Sequence, residues 1–423
     1  MSYAIYALGS NGNGQLGIGH CDDVSGPARC LFDLKTPPPG YPVRPVKIAA
    51  GGNHTLLLYS DGSAFAAGQN DDGRCGVLRT AEPMTRFTRV SFPATSSESV
   101  GGVVSTTEDV ISDFEDVAAT WSGSVFVANR KGKQMVYTCG SGDFGELGQG
   151  PEVRSSFEPR VISGCPAQDK KIVAISSSFR HVVMLTADEQ LYGWGNGRKG
   201  QLGKLDSKTH IFWQPRQICL ADRARSAACG RDFTCVLHEA GSPTILGIEA
   251  EKNDKYGINK ILTDYSASAE GGMILATTWN GVYLLRRGGR CSGRGKTDKG
   301  QLVPRALRTK SLSCLKTGSE HVMAFLRDDS TDCHDGLPGS DGLATSGTPQ
   351  HAGKIVVWGW TEHGNCGTAV PGGVEEGGYN CFTLPGASHI SPLGAGCATT
   401  FMLAEGADTT PQWVEEHVTG LPE

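Results

Sequence analysis

A nine-residue phrase, Gly-x-Asn-x-x-Gly-Gln-Leu-Gly, recurs along this chain and constrains its fold more than any other feature. Five clear copies occupy residues 9–17, 68–76, 140–148, 195–203 and 359–367. Each follows a short apolar segment, and its Gly and Asn residues supply the positive φ angles of tight turns. Two eroded copies lie near residues 245–247 and at residues 293–302. Such a repeat indicates an array of like units rather than the two or three domains that 423 residues would suggest.

A second phrase, a turn between two apolar runs that carries a histidine in three of its copies, alternates with the first. Its copies lie at residues 48–58, 175–185, 228–237, 315–325 and 393–403, with weaker ones at 117–127 and 266–275. These runs show no alternation of apolar and polar residues, so each predicted strand is apolar on both faces. This is expected of sheets that stack against a neighbouring sheet on either side. Seven copies of this phrase predict an all-β, seven-bladed β-propeller of four-stranded blades around a channel.

The two ends of the chain are out of phase with the repeat. The chain starts with a first-phrase hairpin and finishes with a second-phrase hairpin, so residues about 388–404 can complete one blade with residues 1–20. That pairing closes the ring and removes two open sheet edges. A linear solenoid would need polar caps, and none is visible. The predicted propeller spans residues 1–405, with surface loops at 94–116 and 328–353 and a tail at 406–423.

Composition excludes several classes of function. A net charge of −5 argues against a dedicated nucleic-acid binder, and no apolar run is long enough to cross a bilayer. The N-terminal residues lack the charged and apolar regions of a signal peptide. Most of the 14 cysteines lie in apolar strands, which favours reduced, buried thiols. We therefore expect a cytoplasmic location, with the nucleus as an alternative, and no membrane association.

Three segments match the dinucleotide-binding fingerprint Gly-x-Gly-x-x-Gly, at residues 12–17, 140–145 and 195–200. All three lie inside the repeat and none precedes a helical pattern, so we interpret them as turns. Residues 295–297 imitate the end of a phosphate-binding loop, but Arg290 stands where its first glycine belongs. No cofactor is expected.

Histidines recur at one slot of the second phrase, as His54, His181 and His321. A histidine at a fold-defined position is expected to brace a turn rather than to catalyse. The sequence has no Cys-x-x-Cys pair and no nucleophile elbow, so no metal ligand or catalytic residue is assigned and the protein is not expected to be an enzyme. Trp358 is interpreted as a blade residue equivalent to Trp194.

One copy of the first phrase departs from what a turn requires, because it carries Trp360, Glu362 and His363. Loop aromatics beside charges suit a binding hot spot, since Trp buries a large area at little entropic cost. Glu320, in the slot before His321, could contribute if it faces the same rim. These residues are our principal candidates for a partner-binding site, with a structural role as the alternative.

Residues 286–310 concentrate nine Lys and Arg residues against one acid, and Arg287, Arg290 and Arg294 are its candidate binding residues. The segment is either a solvated hairpin or a docking patch for an acidic protein or for tRNA phosphates. The lack of interleaved aromatic residues favours the hairpin. The acidic stretch at residues 94–116 is interpreted as solvated linker.

The alternating phrases resemble the regulator-of-chromosome-condensation repeat family over essentially the whole chain. Within it, residues 6–20, 318–321, 358–367 and 396–401 are most similar to the fungal propellers of the alpha-tubulin-suppressor type. The resemblance implies a non-enzymatic partner of a small CSL-type zinc-finger protein, acting as a heterodimer. It also implies indirect support of Elongator-dependent wobble-uridine modification in tRNA and of diphthamide synthesis on elongation factor 2. Direct contact with tRNA is left open.

Two other functions occur on the same fold. A guanine-nucleotide exchange factor for a small nuclear GTPase is the main alternative, although the chain is acidic and lacks a basic N-terminal tail. An ultraviolet photoreceptor would need tryptophans clustered in the slots before the histidines. We assign those slots to Asn53, Arg180, Asp232 and Glu320, which argues against a photoreceptor.

Overall fold

Seven β-sheets are arranged as blades around a central channel in the computed structural model. It describes residues 2–100, 103–166, 170–203, 210–239, 243–248, 254–261, 273–327, 353–368, 377–406 and 412–418. One strand from each sheet lines the channel, and the sheets stack through apolar side chains. The predicted seven-bladed β-propeller is confirmed.

The blades follow one another along the chain, and the strands of each blade run in order from the channel outward. Blade 1 comprises β27 (His389–Ala395), β28 (Thr399–Glu405), β1 (Tyr3–Gly9) and β2 (Val24–Arg29); blade 2 comprises β3 (Pro45–Ala50), β4 (His54–Tyr59), β5 (Ala64–Gly68) and β6 (Met84–Arg89); blade 3 comprises β9 (Phe114–Ala119), β10 (Gly123–Arg130), β11 (Lys133–Ser141) and β12 (Ser155–Val161); blade 4 comprises β13 (Ile172–Ser177), β14 (His181–Thr186), β15 (Leu191–Asn196) and β16 (Ile211–Ile218).

The remaining blades show three, three and five strands among the described residues. Blade 5 comprises β17 (Ala224–Cys229), β18 (Thr234–His238) and β19 (Pro243–Leu246); blade 6 comprises β20 (Ile274–Thr278), β21 (Gly281–Leu285) and β22 (Cys291–Gly295); blade 7 comprises β23 (Leu312–Thr317), β24 (His321–Leu326), β25 (Lys354–Gly359), β26 (Tyr379–Thr383) and β29 (Val414–Val418). Short 3-10 helices lie at Ile258–Lys260 and Arg305–Leu307.

The ring closes within blade 1, as the sequence predicts. Strand β1 pairs antiparallel with β28 in unbroken register from Tyr3↔Glu405 to Gly9↔Thr399. The amide of Gly406 also donates to the carbonyl of Ser2 at 3.0 Å. Ile5, Tyr6 and Leu8 are buried between the neighbouring blades, so the N-terminal strand is part of the core.

The first phrase forms two consecutive turns in each of its five clear copies. The amide of its sixth residue donates to the carbonyl of the third, and the amide of the ninth donates to the carbonyl of the sixth, as in Gly14–Asn11 (2.8 Å) and Gly17–Gly14 (2.9 Å). Gly14 and Gly17 both have positive φ, and a Cβ at Gly17 would lie 2.5 Å from the Phe87 ring. The fingerprint-like glycines are therefore turn residues, as predicted.

The second phrase is shifted in blade 6 from its predicted place. The sequence assigns this weak copy to residues 266–275, but the inner hairpin of blade 6 is formed by β20 and β21, with the turn at Trp279 and Asn280. Residues 275–285 match the weak copy at 117–127, because each has Thr-Trp at its turn and Gly at the start of the next strand. The predicted position is nine residues too early, because Gly271 and Gly272 before an apolar run imitate the turn of the phrase.

Two segments outside the blade pattern also differ from expectation. In the stretch predicted as a loop at 94–116, β7 (Phe92–Val100) and β8 (Val103–Ile111) pair as a hairpin, and its last residues belong to β9. In the stretch assigned to the tail, β29 adds a fifth strand to blade 7 beside β26. The predicted loop at 328–353 lies almost wholly outside the described residues.

Candidate protein-binding face

The turns of both phrases lie at the same end of the ring, and we call this end the phrase face. In most blades, the residue after the first glycine of the first phrase donates its amide to the carbonyl just before the second strand of that blade. Examples are Gln69 to Asn53 (2.8 Å), Asn196 to Arg180 (2.8 Å) and Trp360 to Glu320 (3.0 Å). The two phrases therefore build one continuous surface.

The loop that carries Trp360, Glu362 and His363 lies on the phrase face at the junction of blades 7 and 1. The imidazole Nδ1 of His363 is 2.9 Å from a carboxylate oxygen of Asp23, and its ring meets Trp360 edge to face with centroids 6.2 Å apart. Trp360 is half-buried, whereas Glu362 is exposed. His363 thus anchors the loop, and Trp360 and Glu362 are presented to solvent.

Glu320 lies on the same face but is engaged within the protein. Its carboxylate accepts hydrogen bonds from Lys296 Nζ (3.0 Å), Asn280 Nδ2 (3.1 Å) and Gln301 Nε2 (3.2 Å). The Glu320 side chain is 11% exposed. This network joins blades 6 and 7, so the geometry gives Glu320 a role in holding the rim.

The three predicted arginines are divided between different parts of blade 6. Arg287 and Arg290 are exposed in the turn between β21 and β22. Because successive strands of a blade run in opposite directions, this turn lies at the end of the ring opposite the phrase face. Arg294 lies on β22, one residue before Gly295. The structure therefore does not bring Arg287 and Arg290 together with Trp360.

Three aromatic rings meet over the channel at the phrase face, and we call Trp121, Phe179 and Trp279 the mouth triangle. Their ring centroids are 5.1 Å (Trp121–Phe179), 5.5 Å (Phe179–Trp279) and 5.9 Å (Trp121–Trp279) apart. Trp121 belongs to blade 3 and Trp279 to blade 6, which are not neighbours. The rings therefore lean across the channel mouth, and all three are half-buried.

Two arginines frame the mouth triangle. The Arg180 guanidinium lies 3.9 Å from the Phe144 centroid and 4.7 Å from that of Phe179, and the Arg231 guanidinium lies 4.9 Å from Phe179 and 5.4 Å from Trp279. Such contacts hold a guanidinium in place while its N–H groups remain able to bind carboxylates.

The mouth triangle was not predicted from the sequence. Its aromatic members lie two residues before the start of the second strand, one place earlier than the slots assigned above. The four slots used above to argue against a photoreceptor hold no tryptophan, but Trp121 and Trp279 lie one place earlier, in two blades whose slots were not assigned. The Thr-Trp pair shared by residues 120–121 and 278–279 is the signal that could have revealed the cluster.

Backbone hydrogen bonds tie the turns around the mouth to one another. The Trp121 amide donates to the Phe179 carbonyl (3.0 Å), the Trp279 amide to Ser319 (2.8 Å), and the Ser319 amide to Gly396 (2.9 Å). The Gly52 amide donates to the Trp121 carbonyl (2.9 Å), and a Cβ on Gly52 would lie 2.8 Å from the Trp121 ring. The phrase face is therefore a preformed surface.

The recurring histidines connect neighbouring blades, as the predicted bracing role implies. Each fully buried imidazole places Nε2 beside a hydroxyl of the next blade: His54 at 2.9 Å from Ser124, His181 at 3.0 Å from Thr234 and His321 at 2.9 Å from Thr400. The hydroxyls of Ser124 and Thr400 donate onward to carbonyls, so they accept from Nε2–H. Burial lowers the pKa of His54 to about 3 and of the other two to about 4.

These neutral histidines predict that acid destabilises the protein. An unfolded histidine takes up a proton near pH 6.5 whereas the folded ones do not until about pH 4, so the free energy of unfolding falls as the pH drops between these values. We expect a loss of about 2 kcal/mol per histidine at pH 5. Urea unfolding at pH 7, 6 and 5 measures it. The variant His181→Gln should show a shallower pH dependence, and an unchanged slope would contradict the assignment.

Glu146 occupies the position that is Gln in three other copies of the first phrase. Its side chain accepts the Phe144 amide at 2.7 Å, just as Gln15 and Gln201 accept the amide two residues earlier at 2.9 Å. Burial raises the pKa of Glu146 to about 7, while an unfolded glutamate ionises near pH 4.3. The charged form of Glu146 therefore destabilises the folded state. This destabilisation develops as the pH rises from about 4.3 to about 7 and is complete at higher pH.

The variant Glu146→Gln is expected to be more stable than the wild type at pH 8, because it keeps the acceptor and removes a buried charge. We expect a gain of about 1–3 kcal/mol at pH 8 that shrinks toward zero near pH 4, where the carboxyl is protonated in both states. Thermal melts at both pH values check this. Glu152→Gln, an exposed site in the same blade, is the matched control. Equal stabilisation at both pH values would rule the explanation out.

The channel beneath the mouth triangle is a cavity of about 470 Å³. Lys47 lines this cavity, and its ammonium lies 2.6 Å from a carboxylate oxygen of Asp116. Lys316 also lines the cavity, and burial together with the nearby Lys47 ammonium lowers its pKa. In the part of the chain that the structure describes, no group of three or more His, Cys, Asp or Glu side chains could hold a metal ion, and thirteen cysteines form no disulfide bond. No described helix has the length and apolar character to span a membrane.

Comparison with known proteins supports the family resemblance. The model of the regulator of chromosome condensation (RCC1) repeat matches residues 4–58, 134–185 and 188–237, and a second RCC1 repeat model matches residues 46–74 and 172–201. An RCC1 repeat-containing protein of Schizosaccharomyces pombe is 29% identical over 95% of this chain and 99% of its own length. These matches support the resemblance of the chain to RCC1 repeat proteins.

One further relative and one solved structure of similar fold cover nearly the whole chain. The secretion-regulating guanine nucleotide exchange factor of Bos taurus is 24% identical over 95% of this chain and 82% of its own length. The crystal structure of Prp20p from Saccharomyces cerevisiae superposes with a TM-score of 0.64 and 15% identity, covering 97% of this chain and 93% of that one. At this identity the structural likeness establishes the fold alone. The chain is thus a seven-bladed propeller that is similar in sequence to RCC1 repeat proteins.

Proposed function

We propose that this propeller is a non-enzymatic adaptor that binds a small CSL-type zinc-finger protein as a heterodimer. Through that partner it would support Elongator-dependent modification of wobble uridines in tRNA and diphthamide synthesis on elongation factor 2. The observation that carries the proposal is the loop with Trp360 and Glu362, which presents a half-buried aromatic and an exposed acid on a preformed face. Rigid aromatic anchors of this kind bind partners at low entropic cost.

Binding of the purified zinc-finger protein tests this proposal. We expect an affinity in the micromolar range or tighter by isothermal titration calorimetry, and we expect Trp360→Ala to weaken it at least tenfold. Trp213→Ala is the matched control, because that tryptophan stacks under Arg154 at the outer strand of blade 4. The absence of binding at micromolar concentrations would refute the adaptor function.

A guanine-nucleotide exchange factor is the second candidate. It is favoured by the similarity to the secretion-regulating exchange factor over 95% of the chain. Release of labelled GDP from a small GTPase, with and without this chain, separates the two functions. Acceleration of release by orders of magnitude, together with no binding of the zinc-finger protein, would replace the adaptor proposal.

A further inference from the structure

The mouth triangle and its two arginines form a site that none of the predicted binding residues belongs to. The aromatic edges supply apolar area at the centre of the phrase face, and the arginines lie at its margin. This arrangement has the composition of an interaction hot spot, in which Trp and Arg are enriched and clustered near the centre.

The two guanidiniums form no ion pair within the described part of the protein, although the Arg180 charge acts on the pKa of the buried Glu146. Among those residues, neither Arg180 nor Arg231 has an ion pair with a carboxylate, although other charged residues of the rim do. Glu320 is bound to Lys296, and Asp23 is bound to His363. Asp232 is exposed beside Arg231 and makes no ion pair with it in the described structure. The Arg180 and Arg231 donors are thus oriented by stacking and open to an external acceptor.

The occupant suited to this chemistry is an acidic segment of a protein. Carboxylates match the planar donor pairs of arginine, and apolar side chains of the same segment can pack on the ring edges. A nucleic acid fits less well, because the triangle rings contact one another and the arginines, which leaves few open faces for stacking bases. The chain also carries a net charge of −5, which opposes a polyanion.

We propose that Trp121, Phe179, Trp279, Arg180 and Arg231 form a docking site for an acidic peptide segment at the channel mouth. The Lys316 side chain also lines the channel. This proposal extends the proposed adaptor function, and the experiment below tests it independently of that function.

Fluorescence anisotropy with a labelled decapeptide of Glu, Asp and two central Leu residues tests the site in the full chain. The matched peptide carries Gln and Asn in place of the acids. We expect the acidic peptide to bind, and the neutral one to bind at least tenfold more weakly. Arg231→Ala should weaken acidic-peptide binding about tenfold, and Arg180→Ala with Arg231→Ala should abolish it. Arg231 is exposed, so its replacement should leave the melting temperature unchanged.

Arg287→Ala with Arg290→Ala is the control, because it removes the same charge from the opposite end of the ring. Equal binding of both peptides, an equal loss in the control, or no binding of the acidic peptide at millimolar concentration would overturn the proposal. Tighter binding of a single-stranded RNA decamer than of the peptide would also overturn it. If the peptide binds but the zinc-finger protein does not, the docking site stands and the adaptor function fails. If the Arg231→Ala variant binds both the zinc-finger protein and the acidic peptide with wild-type affinity, the docking-site proposal is refuted.

Discussion

Deletion of residues 1–9 is expected to abolish cooperative folding. These residues contain strand β1, which pairs with β28 along its whole length and separates β28 from β2. Burial of Ile5, Tyr6 and Leu8 contributes roughly 1.5–3 kcal/mol each, and the total is comparable with the 5–15 kcal/mol stability of a typical protein. The deletion would also expose the edge of β28 to aggregation. Loss of the unfolding transition in circular dichroism, with poor solubility, is the predicted result.

Two controls separate ring closure from mere truncation. Removal of residues 414–423 deletes only the fifth strand of blade 7, so we expect a lower melting temperature but a retained cooperative transition. A circular permutant that links residue 406 to residue 2, with new ends in the turn at 286–290, keeps every blade strand except β29, so it should fold and melt like the variant that lacks residues 414–423. If the variant that lacks residues 1–9 melts at the wild-type temperature, closure of the ring through blade 1 is contradicted.

Trp358→Ala is expected to destabilise the protein by about 3–5 kcal/mol. Its indole is fully buried in blade 7 and donates Nε1–H to the carbonyl of Gln301 in blade 6 at 3.2 Å. Trp194 does the same from blade 4 to Glu146 of blade 3 at 2.8 Å. The equivalence predicted from the sequence is therefore confirmed, and Trp194→Ala should have a cost of similar size. Urea unfolding at pH 7 measures both.

The phenylalanine variants test the hydrogen bonds. The Gln301 carbonyl also accepts the Tyr283 hydroxyl at 2.6 Å, so Trp358→Phe leaves it satisfied. The Glu146 carbonyl has the Trp194 indole as its side-chain donor, and Trp194→Phe removes it. We expect Trp194→Phe to be the more costly of the two by about 1 kcal/mol. The reverse order would show that packing alone sets the difference.

The fold could be read from the sequence because its signals are local and repeated. The glycines at the first, sixth and ninth places of the first phrase all have positive φ, so each copy of the phrase predicts the same turn. The closure of the ring was predictable because the chain begins with one phrase of the repeat and ends with the other, so its two ends complete a single blade. The prediction failed where the repeat is eroded, since the copy in blade 6 has no histidine at its slot and its predicted position is too early.

The candidate site was only partly predictable, because it depends on which distant residues meet. Trp360, Glu362 and His363 were found since they depart from the phrase they occupy. Trp121 and Trp279 meet only because two non-adjacent blades lean over one channel mouth. The pairing of Glu320 with Lys296 and the placement of Arg287 at the far end likewise depend on tertiary packing and strand direction.

The central claim is that the phrase face is the surface that binds the protein partner. A photocrosslinking amino acid incorporated at position Glu362 on that face, or at position Arg287 on the opposite end, tests it directly in the complex with the zinc-finger protein. Both side chains are exposed, so neither change should disturb the fold. We predict a crosslinked heterodimer from position 362 and none from position 287. Crosslinking from position 287 alone would contradict the claim.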